Sequence, residues 1–87
     1  MLLVEVSESS LSLDRDYKGA LYARARLEDY WIVNLVDRVL EIYRQPVADP
    51  SAPLGWRYGS KTMLGPDASA SMLALPDVSL AVRSLLP

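Results

Sequence analysis

Two side chains, Glu5 and Lys18, set the chemical question. Glu5 stands inside the apolar run Met1 to Val6, where an ionised carboxylate without a partner costs several kcal/mol. A carboxylate able to hold a hard divalent cation, beside a lysine that steadies an anionic transition state, is equipment for phosphodiester hydrolysis. Few other chemistries are open to this chain. It has no histidine and no cysteine, so imidazole and thiolate metal sites, Ser-His-Asp triads and disulfides are excluded. Ser7, Ser9 and Ser10 have no base to activate them and read as loop or cap residues. The bland alternative for Glu5 is a strand-end carboxylate reaching solvent or a loop amide. For Lys18 it is a surface pair with Asp14 at i,i+4, worth only about 0.2–0.5 kcal/mol.

The elements that must position these residues follow from periodicity. Leu2 to Ser7 predicts a strand, with Leu3, Glu5 and Ser7 on one face and Val4 and Val6 on the other. Apolar residues on both faces predict a strand covered on both sides. After the polar stretch 7–12, with Ser12 or Asp14 as N-cap, a helix is expected over about 13–27. Asp14 and Asp16 in its first turn and Arg24 and Arg26 in its last suit the helix dipole.

Tyr30 to Leu35 predicts a second strand. Asp37 and Arg38 form a turn, and Val39 to Tyr43 a hairpin partner. Strand, helix, strand makes a βαβ unit with parallel strands and a right-handed crossover. In that unit the carboxyl end of the first strand and the start of the helix meet at one sheet edge, so Glu5 and Lys18 should converge within about 8 Å, a gap one water or phosphate could bridge. The proline-rich stretch 45–55 predicts a loop, and Trp56 to Leu64 a further strand. Residues 71–74 are candidates to pair again, and 78–85 form a short strand or a terminal helical turn. Tyr22, Tyr30 and Trp31 are expected in the core. Trp56, Arg57 and Tyr58 could stack on bases, but an aromatic strand completing the sheet is the simpler reading.

With 87 residues the chain is one small domain or part of a larger one, and 51% hydrophobic and 23% charged residues make it globular. No apolar stretch is long enough to span a bilayer, and acidic residues follow the N-terminal apolar run where a signal peptide would not have them. A cytoplasmic protein is the default. A net charge of −2 and a pI near 4.9 argue against bulk electrostatic binding of nucleic acid, but not against a nuclease whose local field is reversed by bound metal.

The segment LVEVSESSLSLDRDYKGALYARARLEDYWIVNL resembles the Uma-type restriction endonuclease family of the PD-(D/E)xK nuclease superfamily. The likeness rests on Glu5-Val6-Ser7, then Asp14, Lys18 and Tyr22, then Asp29-Tyr30-Trp31-Ile32-Val33-Asn34. It continues through VLEIYRQP and GWRYGS to ALPDVSLAVRSLLP. The resemblance implies an α/β fold, a partial restriction-endonuclease-like core made of a βαβ unit with an antiparallel β extension. It also implies a metal-dependent DNA endonuclease using Mg2+, with Glu5 as metal-binding acid and Glu5 and Lys18 as the catalytic pair. The superfamily's E-x-K lysine position holds Ser7, and the helix lysine, Lys18, substitutes.

Three features depart from the family pattern. Asn34 replaces an aspartate. Arg26-Leu27-Glu28 replaces a Gly-hydrophobic-Pro turn. No Pro-Asp hairpin precedes Glu5, since Pro66-Asp67 and Pro76-Asp77 lie downstream. Residues 1–87 are therefore expected to be the C-terminal part of the nuclease domain without its N-terminal half, inactive alone, and either a homo-oligomer or the partner of the missing half. The alternative is a non-catalytic fragment that acts by pairing with a partner chain along an open sheet edge.

Overall fold

The computed structural model describes residues 2–8 and 14–87, with only the backbone of Asp14. The candidate caps Ser12 and Asp14, as side chains, and the loop serines Ser9 and Ser10 lie outside the described residues. Strand β1 (Leu2–Ser7) is followed by a wide π-helical turn (Asp14–Lys18) that runs into helix α1 (Gly19–Arg24). Then come β2 (Asp29–Asn34), β3 (Val39–Ala48) and β4 (Trp56–Leu64). A short 3-10 turn (Pro53–Gly55) precedes β4. A two-stranded ribbon, β5 (Ser69–Ala70) with β6 (Leu80–Ala81), and a final 3-10 turn (Val82–Leu85) close the chain.

The main sheet has the order β1-β2-β3-β4. β1 and β2 are parallel, and the β2-β3 and β3-β4 pairs are antiparallel. This is the expected βαβ unit with an antiparallel extension, a mixed α/β architecture compatible with a restriction-endonuclease-like core.

Register and the two-residue period assign the faces. Leu3, Glu5 and Ser7 stand opposite Tyr30, Ile32 and Asn34, which stand opposite Tyr43, Glu41 and Val39. The helix covers this face, where Tyr30, Ile32 and Tyr43 are buried with Tyr22, Leu27 and Tyr58 packed on them. Tyr30 makes an edge contact with Tyr22 at 4.9 Å and stacks on Tyr58 at 6.0 Å. On the other face Trp31, Val33, Leu40 and Ile42 form a second core under Ala70, Val82 and Leu86. Buried Asp29 ties that layer down. Its carboxylate accepts from Trp31 Nε1 at 2.6 Å, Arg44 Nε at 3.0 Å and the Leu73 amide at 2.8 Å.

Three expectations are corrected. β1 is not covered on both sides: it is the sheet edge, with Val4 43% and Val6 64% exposed. The strand buried throughout is β2. The expected helix over 13–27 ends at Arg24, because Arg26 takes a left-handed conformation (φ 60°). There the Arg26 amide donates to Ala23 O and the Leu27 amide to Tyr22 O, the paired bonds of a Schellman stop. Arg26 thus fills a glycine's role at a steric cost of about 1–2 kcal/mol. Finally, the loop expected over 45–55 is shorter, since β3 runs on to Ala48 through Pro46. β2 ends opposite Arg44. Beyond it one edge of β3 is free, so a proline there removes no ladder bond on that side.

Candidate functional site: a carboxylate, a lysine and a tyrosine on the helix-covered face

Glu5 lies near the carboxyl end of β1 and points towards the helix. Lys18 closes the π-helical turn, and Tyr22 lies one turn further on. At i,i+4 the two side chains project over the same patch. Lys18 Nζ donates to Glu5 Oε2 at 3.2 Å, and the Tyr22 hydroxyl donates to Glu5 Oε1 at 2.7 Å. The sequence brought Glu5 and Lys18 to one edge, and the structure places them in direct contact. Tyr22, read as a core residue, packs against the core and also grips the carboxylate. The mid-strand carboxylate is thus compensated within the chain, by a cation on one oxygen and a phenol on the other.

The contact is not there for stability. Lys18 and Glu5 keep 36% and 19% side-chain exposure, and an ion pair at that exposure contributes only about 0–1 kcal/mol. What it fixes is geometry: an ammonium held against a carboxylate at the end of a parallel strand. Ser7, two residues on, is fully buried, and its hydroxyl has no hydrogen-bond partner. It does not substitute for a charged group at that position.

A second carboxylate, missed in the sequence, lies in the same row of the sheet. Glu5 pairs in register with Ile32, and Ile32 with Glu41, so the two glutamates are about 10 Å apart, two strand spacings. Glu41 has no exposed surface. It accepts from Arg15 Nε at 2.9 Å and Arg15 Nη2 at 2.6 Å, from the Tyr43 hydroxyl at 2.5 Å and from Asn34 Nδ2 at 2.9 Å. Burial pushes its carboxyl up, but the bonds from Arg15, Tyr43 and Asn34 outweigh burial, and the net effect holds it below its ordinary range. Burial, with the bond to Glu41, pushes the Tyr43 phenol well up. The signal for Glu41 was present: a carboxylate midway along the apolar VLEIY, the same anomaly as Glu5. Asn34, at the aspartate position of the resemblance, serves this network and also bonds Asp37.

A cleft of about 530 Å3 is lined in part by Tyr58, Lys61 and two of the residues bonded to Glu41, Arg15 and Tyr43. Neither Glu5 nor Lys18 lines it, and Asp16 and Asp49 offset its cations. Trp56, Arg57 and Tyr58 belong to β4, completing the sheet. The Tyr58 hydroxyl is spent on Leu27 O at 2.7 Å.

The model of the Uma2 family, described as "Putative restriction endonuclease", matches residues 1–83. The chain belongs to this family. No curated protein and no solved structure matches it. The match spans Glu5, Lys18, Tyr22 and Glu41 alike. A family suggesting a nuclease implies DNA as substrate and a divalent metal. The described residues supply only part of what a cation needs. Each Glu5 oxygen retains a lone pair beyond the one it gives to Lys18 or Tyr22, so Glu5 can still serve as a ligand. Among the described residues, however, no group of three acidic, histidine or cysteine side chains could hold a metal. Also among them, no helix is long and apolar enough to cross a membrane.

Proposed function

We propose that this Uma2-family chain carries part of a Mg2+-dependent DNA endonuclease centre, with Glu5 as metal-ligating acid and Lys18 as the charge-stabilising residue. The observation that supports this is the 3.2 Å contact between Lys18 and Glu5 at the end of β1, within a match to an endonuclease family over residues 1–83. When bound, the cation would supply charge neutralisation at the scissile phosphate and acidify a water. The chain's own part is narrower. Lys18 brings a positive charge to the site, and Tyr22 fixes the rotation of the carboxylate that Lys18 contacts.

Mg2+ sites are built from one or two carboxylates with substrate phosphate and several waters, and among the described residues no group of three acidic, histidine or cysteine side chains gathers to hold a metal, so Glu5 by itself is a weak cation site. A further acid would come from a segment paired along the open edge of β1, an N-terminal half of the domain. That edge passes Glu5 itself, and Val4 and Val6 stand exposed along it. On this reading the 87-residue chain without that segment is expected to be inactive.

Supercoiled plasmid and millimolar Mg2+ or Mn2+ test this with two preparations: the 87-residue chain, and the gene product read with any in-frame upstream sequence. The expected result is no nicking by the first and nicking by the second that Glu5→Gln and Lys18→Ala abolish. Nicking untouched by Glu5→Gln would overturn the site. If neither preparation nicks, the second reading stands, a non-catalytic protein that pairs through the β1 edge.

A further inference from the structure

Arg15, Lys18 and Tyr22 all face the sheet from one side of the helical segment. Arg15 reaches Glu41 on β3, while Lys18 and Tyr22 reach Glu5 on β1. The segment is thus moored on two carboxylates in one row, with buried Ile32 between them. The moorings are unequal. The bond from Lys18 to Glu5 is made by one ammonium donor at a partly exposed site. The Arg15 contact is a two-bond fork onto a fully buried carboxylate that Tyr43 and Asn34 also hold. A planar guanidinium fork fixes direction and rotation together, which a point-like ammonium cannot do.

The local backbone makes this mooring consequential. Residues 14–18 form a π-type turn, a geometry that is rare, short and often found at functional sites. Lys18 is its last residue, and no side-chain hydrogen bond caps the α-helix that follows. The path from Asp14 to Lys18 is thus held in part through Arg15, whose fork reaches a fully buried carboxylate.

We propose that Glu41 is a positioning residue: through Arg15 it sets the π-helical turn so that Lys18 rests on Glu5. The inference rests on the reading of Glu5 and Lys18 as the site, but it concerns geometry that can be measured without cleavage.

A buried ion pair can often be replaced by well-packed apolar side chains without loss of stability. This separates positioning from mere support. The chain has only two lysines, Lys18 and Lys61, so acetylation by a limiting amine-reactive ester, read by mass spectrometry, reports Lys18 directly. Glu5→Gln defines the rate of Lys18 without its charged contact to Glu5.

In Arg15→Met/Glu41→Leu, with a melting temperature matching the parent, Lys18 labelling should rise several-fold, to the Glu5→Gln level. Parental labelling in that stable variant overturns the proposal. Should the double variant fail to fold, Arg15→Lys keeps the charge and the pair but loses the fork. Its Lys18 labelling should lie between parent and Glu5→Gln, and an unchanged rate is equally fatal. Labelling that shifts as expected while no preparation ever cleaves DNA would sink the nuclease reading and leave the mooring intact.

Discussion

Asp29→Ala should come close to unfolding the molecule, although Asp29 is remote from the proposed chemistry. Its carboxylate is 2% exposed and holds three donors: Trp31 Nε1, Arg44 Nε and the Leu73 amide. Truncation strands the buried indole N–H, a loss of about 1–3 kcal/mol. Arg44 is partly exposed and keeps its bond to Ser71 O, so its share is about 1 kcal/mol, and the Leu73 amide adds about 0.5–1. The sum is about 2.5–5 kcal/mol, against a total stability of roughly 4–13 kcal/mol for a domain of this length. Melting by circular dichroism should fall on the order of 10–40 °C. Asp29→Asn should lose about half as much, because its amide oxygen can still accept from Trp31 and Arg44 while its NH2 faces another donor. Near-ultraviolet dichroism should lose the Trp31 signal first, since Asp29 joins the buried sheet to residues 71–73. An Asp29→Ala protein melting within a few degrees of the parent would show that these bonds are not what holds that layer down.

Four further outcomes can be measured. Arg26→Gly should raise stability by about 0.5–1 kcal/mol in urea titrations, since relief of the left-handed strain exceeds the loss of the Arg26 contact over Trp56 at 5.9 Å; destabilisation would refute it. The parent should be a dimer or larger by light scattering and Val6→Lys a monomer, because an exposed apolar edge strand templates pairing and an edge lysine blocks it; a monodisperse parent of 9.7 kDa refutes this. Glu41 has a folded pKa below its ordinary 4.5, so its stabilisation is complete above about pH 4.5 and lost as pH falls through the lower folded value. Urea midpoints from neutral to acid pH should therefore fall less steeply for Glu41→Gln than for the parent, and parallel curves would refute the assignment. Tyr22→Phe should lower stability by only about 1 kcal/mol yet raise Lys18 acetylation, by letting the Glu5 carboxylate rotate; an unchanged rate would mean that the phenol does not orient it.

The order of elements was legible in the sequence because it depends on local period alone. β1, β2, the turn at Asp37 and β4 stand where alternation and turn residues put them, and the helical segment begins where expected but stops at Arg24. Which strand lies at the edge was not legible, because that depends on who pairs with whom. Met1 to Val6 looks more apolar than Asp29 to Asn34, yet the second carries the full burial. Its polar members, Asp29 and Asn34, are buried because residues distant in sequence, Arg44, Leu73 and Glu41, supply their hydrogen bonds. No short window around Asp29 contains Arg44 or Leu73, and Glu41 reaches Asn34 only because the hairpin folds back. The Schellman stop was likewise hidden, since Arg26 is not a residue that announces a left-handed turn.

Glu41 failed to stand out for a different reason. In VLEIY a charge between apolar neighbours satisfies the alternation of a strand with one wet face, and that is the economical reading of a hairpin. It holds only if nothing covers that face. Once the crossover from β1 to β2 lays the helix there, a carboxylate at the middle of β3 must either reach the rim or find a cation on the helix. Glu41 and Glu5 face the same requirement one strand apart on either side of Ile32, and the two cations that meet it, Arg15 and Lys18, lie three residues apart on one helical face. The same crossover that makes Glu5 a candidate ligand thus makes Glu41 a buried charge, so a single substitution at Glu41 cannot be local in its effect. It alters where the helix starts, and with it the lysine on which the proposed chemistry depends.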